Sequence, residues 1–280
     1  MAHNTLTNSG ETGTLRRIAP SDIPSALELS SQAGWNQTTR DWQTLIELEP
    51  EGCLAIAGEN GLLATATLLC YEERLGWLGM VLTHKDNRRR GLARRLVTVA
   101  LEFAAERGIK TVKLDATNQG QPLYESLGFR AEQYIERWSR PAALAKTRLS
   151  SQTGCWAIAE GLDRESFSAD RSRLFASLRE RGHLHTAEDG FVLTRHGSLA
   201  TYLGPFIARS EGTAKRLIDE CLEGEERACF WDLLPSNRHA VELAQETGFR
   251  RERSLVRMFR GPQFQQCSAL TYGIAGFEFG

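Results

Sequence analysis

No run of apolar residues in this 280-residue chain is long enough to span a bilayer. Met1 to Gly13 lacks the basic start and apolar stretch of a secretory signal, and is read as a flexible tail. None of the six cysteines (Cys53, Cys70, Cys155, Cys221, Cys229, Cys267) forms a Cys-x-x-Cys pair. Their scatter excludes a compact disulfide framework and suits reduced, mostly buried thiols in a cytoplasmic protein. Charge of either sign is not in excess: 34 Lys and Arg face 35 Asp and Glu, for a formal net charge of -1. No general field holds nucleic acid or an anionic membrane, so neither is an expected partner and any positive site must be local. His183 and His185 have no evident third ligand, and no metal is expected.

What is present suits a globular fold. Hydrophobic residues make up 41% and charged residues 25%, enough to bury a core. The length fits one large domain or two ordinary ones, since single cores stop growing at roughly 250–300 residues. A helix capped by Ser21 or Asp22 and a second over Thr39 to Leu48 come first. Two β-like runs follow, Cys53 to Gly58 and Leu62 to Cys70, joined through an Asn60-Gly61 hairpin signal. Gly76 to Leu82 reads as a third strand. Gly91 to Arg107 is an amphipathic helix with Leu92, Leu96, Val99, Phe103 and Ala104 at helical spacing. Val112 to Leu114 is a short strand, Pro122 to Leu127 a short helix, and Glu132 to Trp138 a final strand.

The chain then echoes itself. Arg88 to Leu96 resembles Arg209 to Leu217, and Leu123 to Arg130 resembles Leu243 to Arg250, at offsets of 121 and 120 positions. Two matches in register imply two copies of one domain-sized unit. The expected division is a tail over 1–13, a first domain over 14–141, a linker over 142–153 and a second domain over 154–280.

The segment with the most chemistry is Met80 to Ala93. A strand ends at Met80-Val81-Leu82, an arginine-rich loop follows, and Gly91 opens a helix. Unpartnered N–H groups and the positive end of the helix dipole suit such a turn to phosphate. Gly91 admits close approach, and Arg88, Arg89, Arg90, Arg94 and Arg95 can add charge-assisted bonds. The segment fits neither G-x-x-x-x-G-K-[ST] nor G-x-G-x-x-G. A solvated, charged helix start is the alternative reading.

Arg88-Arg89-Arg90-Gly91-Leu92-Ala93 resembles the [Q/R]-x-x-G-x-[G/A] pyrophosphate signature of the GNAT superfamily of N-acetyltransferases. Asn118, followed by Leu123-Tyr124-Glu125-Ser126-Leu127-Gly128-Phe129, resembles its second hallmark. Ala33 to Thr38 with Asp41-Trp42, and Lys113 to Thr117, resemble a two-domain branch whose C-terminal domain is degenerate. Lys85 and Asn87 stand where a Pro and a Tyr are common. The resemblance implies an α/β fold of two tandem GNAT-like domains, each a mixed, mostly antiparallel sheet flanked by helices, with a splayed strand for acyl-CoA. It implies acetyl-CoA as cosubstrate, bound by Met80, Val81, Leu82, Arg88, Arg89, Arg90, Gly91, Leu92, Ala93, Arg94, Asn118 and Tyr124. Tyr124 would protonate the departing thiolate, and a backbone N–H near Val81 or Leu82 would hold the developing oxyanion.

The second copy is expected not to bind acyl-CoA. Leu78 to Arg88 spans ten positions and Leu203 to Arg209 six, a loop shorter by four. Glu211 replaces Arg90, and Ala244 stands in the place of Tyr124. The strand Gly76 to Leu82 holds no carboxylate, so the base is open among Glu72, Glu73, Asp115, His84 and a water chain. Trp35, Asn36, Trp42, Glu72 and Asp115 are candidates for the acceptor side, with core packing of both tryptophans the alternative. The expected acceptor is a small-molecule amine or amino acid. A non-catalytic acyl-CoA sensor, acetylation of protein Lys or N-termini, and a homodimer remain open.

Overall fold

The computed structural model describes residues 13–142 and 154–280. The expected tail and linker lie outside these residues, apart from Gly13 and Ala142. The first half runs β1 (Thr14–Arg17), α1 (Ile23–Gln32), α2 (Thr39–Leu48), β2 (Cys53–Gly58), β3 (Gly61–Tyr71), β4 (Leu75–Thr83), α3 (Leu92–Glu106), β5 (Thr111–Ala116), α4 (Gln121–Ser126) and β6 (Arg130–Arg140). The second half repeats the order: α5 (Trp156–Phe167), α6 (Ser172–Arg179), β7 (Gly182–Ala187), β8 (Gly190–His196), β9 (Thr201–Ala208), α7 (Glu211–Leu222), β10 (Cys229–Leu233), α8 (Arg238–Glu246) and β11 (Arg250–Arg260). A short β12 (Thr271–Gly273) is added at its end. The sequence reading finds every element of the first half except β1.

Local chemistry explains several boundaries. Thr38 caps α2 by accepting from the Asp41 N–H, and Asp41 returns a bond to the Thr38 N–H at 2.7 Å, a reciprocal capping box. Gly108, at φ +72°, ends α3 in the left-handed conformation. Ser210 and Asn237 cap α7 and α8 in the same manner as Thr38 caps α2.

All strands join one twelve-stranded sheet, in the order β1-β2-β3-β4-β5-β11-β6-β10-β9-β8-β7, with β12 on β9. The two copies exchange their last long strands. β11 lies between β5 and β6, with Met258 opposite Leu114, and β6 pairs β10, with Trp138 opposite Trp231. Helices α1, α2, α5 and α6 share one core on one face of the sheet. On the other face, α3 and α4 cover the first half and α7 and α8 the second.

Buried ion pairs tie the halves together. Arg137 grips Asp232 through bonds of 2.8 and 2.6 Å, and Arg257 grips Asp115 through bonds of 2.8 and 2.9 Å. Arg181 meets Asp41 at 2.6 Å. Both members of the first two pairs are nearly solvent-free, so removing one partner would strand a buried charge.

Candidate active site

Strands β4 and β5 pair in parallel only from Leu75 to Trp77 opposite Thr111 to Lys113. Beyond Trp77 they part, and the gap opens through the sheet. A bulge helps: the β3–β4 register slips between Thr65 and Thr67, where Met80 adopts φ +47°. Thr65 Oγ1 donates to the Met80 carbonyl at 2.8 Å and fixes the turned peptide. A bulged residue leaves the regular ladder, so this stretch offers backbone groups to the gap.

The gap is a cleft of about 650 Å³, within the range of small-ligand sites. On the α3–α4 face it is lined by Arg88, Ala93, Leu114, Asn118, Gly120 and Tyr124; on the α1–α2 face by Gln32, Trp35, Gln37, Arg253, Phe277 and Glu278. Met80, Val81 and Leu82 form one edge between the two.

The α3 end of the cleft is built to meet an anion. Gly91 is the N-cap at φ +78°, with no side-chain cap, and the space beyond its Cα is open for 4 Å. The first N–H groups of a fifteen-residue helix therefore face outward without a partner. Arg88, Arg89, Arg90 and Arg94 are exposed around that turn. Leu92 packs beneath it in the core, and Arg94 donates to Ser126 Oγ at 2.8 Å, tying α3 to α4.

Tyr124 stands deeper in the cleft, edge-on to Phe129 at 5.9 Å between ring centres. Burial holds its phenol well above the ordinary range, so it stays protonated at neutral pH. The glycine before α4 gives its ring room: a side chain at Gly120 would come within 3.0 Å of Tyr124 Cε2.

The opposite wall comes from the end of the second half. The Phe277 carbonyl accepts from Trp77 Nε1 at 2.9 Å, and the Phe279 carbonyl from the Tyr71 hydroxyl at 2.7 Å. Glu278 lies between them, directly over Gly79; a side chain at Gly79 would come within 3.2 Å of the Glu278 Cα. The Glu278 carboxylate is buried, 3.3 Å from Arg195 and 3.1 Å from Gln37 Nε2. Burial raises its pKa above the ordinary carboxylate value, against the pull of Arg195. It is a carboxylate in the cleft that the sequence reading missed. Its only sequence signal is the bare Gly79, some 200 positions away by chain, and that signal names no partner.

The structure redistributes the other candidates. Trp35 and Asp115 line the cleft, but both Asp115 oxygens are held by Arg257 and its side chain is fully buried. Asp115 is thus unavailable as a base. Asn36 faces the other half: it binds the Ala200 carbonyl at 3.1 Å and accepts from the Leu199 and Ala200 amides. Trp42 is fully buried in the core and donates to Ser30 Oγ at 3.3 Å. Glu72 and Glu73 sit in the exposed β3–β4 turn, where Glu72 approaches Arg74 at 3.8 Å. His84 accepts from the Asp86 amide at 3.4 Å in the loop before α3. None of Asn36, Trp42, Glu72, Glu73 and His84 lines the cleft.

The second half has the same opening, and it is filled. Strands β9 and β10 pair only from Thr201 to Leu203 opposite Cys229 to Trp231. Beyond that point β12 lies against β9, the Ile274 amide donates to the Asp232 carbonyl at 3.0 Å, and Trp231 Nε1 donates to Tyr272 O at 2.9 Å. The N-terminus of α7 is also occupied: Asp189 accepts from Thr213 Oγ1 at 2.6 Å and Ser210 Oγ at 3.1 Å. Ala244 is fully buried where Tyr124 stands in the first half.

Among the described residues, no helix is long and apolar enough to cross a membrane, and no group of three or more His, Cys, Asp or Glu is placed to hold a metal ion. All six cysteines are free thiols.

A strand splayed beside an open helix N-terminus in the first half, with a filled counterpart in the second and one continuous sheet through both, defines a tandem α/β protein. Residues 22–129 match the Acetyltransferase (GNAT) family and residues 159–273 an Acetyltransferase (GNAT) domain. The chain belongs to the GNAT acetyltransferases, with one such domain in each half. YitH of Bacillus subtilis, described as an uncharacterized N-acetyltransferase, is 24% identical over 252 residues, covering 85% of this chain and 88% of that one. A candidate acetyltransferase from Pyrococcus horikoshii has the same fold, with a TM-score of 0.85 at 21% identity over 100% of this chain and 99% of that one. A tandem GNAT protein from the clavulanic acid pathway aligns with a TM-score of 0.61 at 14% identity over 90% of this chain and 100% of its own.

Proposed function

We propose that this protein transfers an acyl group, acetyl in the simplest case, from coenzyme A to an amine of a small molecule in the cleft of the first half. The observation that carries the reading is a single passage through the sheet with an open helix N-terminus at one end and a buried carboxylate at the other. The α3 turn, with Arg88 and Gly91, is suited to the pyrophosphate, and the edge from Met80 to Leu82 with Asn118 to the pantetheine arm. Acyl-CoA supplies an acyl carbon activated as a thioester.

The chain's own groups then have distinct tasks. Glu278 takes a proton from the acceptor nitrogen as the new N–C bond forms. A backbone N–H at the β4 bulge faces the charge that develops on the carbonyl oxygen. Tyr124 gives its proton to the sulfur as the C–S bond breaks, and regains one from solvent. The products are an amide and a free thiol. Glu278 favours catalysis over an acyl-CoA sensor, because a sensor has no use for a buried base. Walls drawn from both halves favour a small acceptor over an extended polypeptide.

The test is calorimetric titration of the full chain with acetyl-CoA, alongside free-thiol release against a panel of amines. Binding with thiol release is expected. Binding without release for every amine would move the reading to a sensor, and absence of binding would reduce the arginine-rich turn to a charged helix start.

A further inference from the structure

The acceptor side of the cleft holds two polar groups that no protein atom satisfies. Gln37 is 7% exposed, and its Nε2 donates to Glu278 Oε2 at 3.1 Å. A carboxylate can only accept, so the amide orientation is fixed and Oε1 is left as a buried acceptor without a partner. Arg253 lines the same cleft, and its buried Nε is a donor without a partner. Buried polar groups are normally satisfied, so two unpartnered atoms on side chains that line one cleft mark that wall as incomplete.

Arg253 makes no ion pair among the described residues, although Asp232 and Glu252 attract it from further away. In the β11–β6 ladder it stands opposite Arg137, and like charges placed opposite each other are unfavourable. Arg137 has its counter-charge in Asp232. The other carboxylates nearby are committed: Glu136 to Arg251 at 3.0 Å and to Trp138 Nε1 at 3.0 Å, and Glu278 to Arg195. Glu252 is exposed. The Phe277 ring lies 5.7 Å from the guanidinium. Burial, then the charge of Arg137, draw Arg253 below its ordinary pKa. Arg88, the third arginine on the cleft, lies on the opposite face beside α3 and donates to the Thr83 carbonyl at 3.4 Å.

We propose that the acceptor is an amine that also carries a carboxylate, an amino acid in the broad sense, with its carboxylate on Arg253 and an amine N–H on Gln37 Oε1 beside Glu278. The inference rests on the cleft being an amine-acylation site. An arginine and a carboxamide on one wall of the cleft are complementary to those two groups.

The experiment uses the full chain, acetyl-CoA, and α-, β- and γ-amino acids each paired with its carboxamide, with thiol release as the readout. The acids are expected to outperform their carboxamides, and Arg253→Gln to lower the acid-to-amide ratio of kcat/KM by about 10- to 100-fold, mostly through KM. Arg253→Lys should recover part of that ratio. Thermal unfolding of Arg253→Gln separates recognition from structure: removing an unpaired charge opposite Arg137 should leave Tm unchanged or raise it, and a clear drop would assign Arg253 a structural role instead. Equal use of acids and carboxamides, or an unchanged ratio in Arg253→Gln, overturns the proposal. So does a preference for succinyl-CoA over acetyl-CoA that Arg253→Gln abolishes, since the carboxylate would then belong to the acyl group. Acetyl-CoA binding with no acid acetylated also overturns it. Absence of acetyl-CoA binding is a different failure, that of the acylation reading itself.

Discussion

Replacing Glu278 by Gln tests the assembly of the site most directly. The change is isosteric; it removes the proton acceptor together with the negative charge that faces Arg195 at 3.3 Å. A positioned general base contributes about 100- to 10,000-fold, and Glu278 is the buried carboxylate over the β4 splay, so kcat/KM for the amine should fall within that range. Acetyl-CoA affinity should not change, because Glu278 faces the α1–α2 side of the sheet and the α3 turn opens on the other. The pH dependence has a definite sign. Burial raises the Glu278 pKa in the folded protein, and the base works only when ionised. Wild-type kcat/KM should therefore fall on an acid limb above the ordinary Glu value of about 4.3, and Glu278→Gln should lack that limb. Stability follows the same linkage. A carboxyl with a raised folded pKa favours the fold most when protonated, an advantage complete below its unfolded pKa and lost as pH rises through the folded one. The stability of wild type relative to Glu278→Gln should thus decline with rising pH across that window. Stopped-flow thiol release over a pH series, with thermal unfolding at each pH, reads both effects. A variant that keeps kcat/KM within about threefold, or keeps the acid limb, would show that another group removes the proton.

Two further substitutions divide the opposite end of the cleft. Gly91→Asp places a negative charge where phosphate is expected: at about 5 Å the repulsion is about 1–3 kcal/mol, or ~5- to 150-fold in acetyl-CoA Kd by calorimetry. Gly91→Ala carries the same left-handed backbone strain, about 1–2 kcal/mol, into open space, so equal affinity losses in the two variants would show that charge is not what the turn reads. Tyr124→Phe should slow turnover by about 10- to 100-fold, toward the low end for a general acid because a thiolate leaves readily. Its acetyl-CoA affinity should hold, and a collapse in affinity would make the hydroxyl a binding group instead.

The parts of the site that follow one another in the chain were legible in the sequence. Leu75–Thr83, the arginine loop and α3 form a continuous strand–turn–helix, with local signals in Gly91, Gly108 and the period of Leu92, Leu96, Val99, Phe103 and Ala104. Asn118 follows in the turn after β5, and Tyr124 in α4. What was not legible depends on pairing across the chain. β6 and β11 have the same length and occupy equivalent places in the two copies, so pattern alone cannot tell which sheet position each takes. Asp115 looks like an available carboxylate until the exchanged strands bring Arg257 onto it. Trp35 and Trp42 are equally aromatic and seven positions apart, yet one lines the cleft and the other fills the core, because the turn between α1 and α2 separates their faces. The shortened loop and Ala244 pointed to a second half without a cosubstrate site, but not to what fills its opening.

That filling explains why the two halves work as one object. The chain from Thr271 to Ile274 occupies the gap between β9 and β10, and only four residues later Glu278 reaches the gap between β4 and β5. One short segment closes the second cleft and completes the first. The second half cannot reopen its own site without withdrawing Phe277 and Glu278 from the other. Nor can the first half keep its cleft alone, for it would lose β11 beside β5, Arg257 on Asp115 and the whole Glu278 wall. With the strands exchanged in this way, the second copy is part of the first one's architecture rather than an equivalent site. That copy has Ala244 where Tyr124 stands and an occupied α7 N-terminus, and what it presents to the first cleft is Arg253, Phe277 and Glu278, with Arg257 on Asp115.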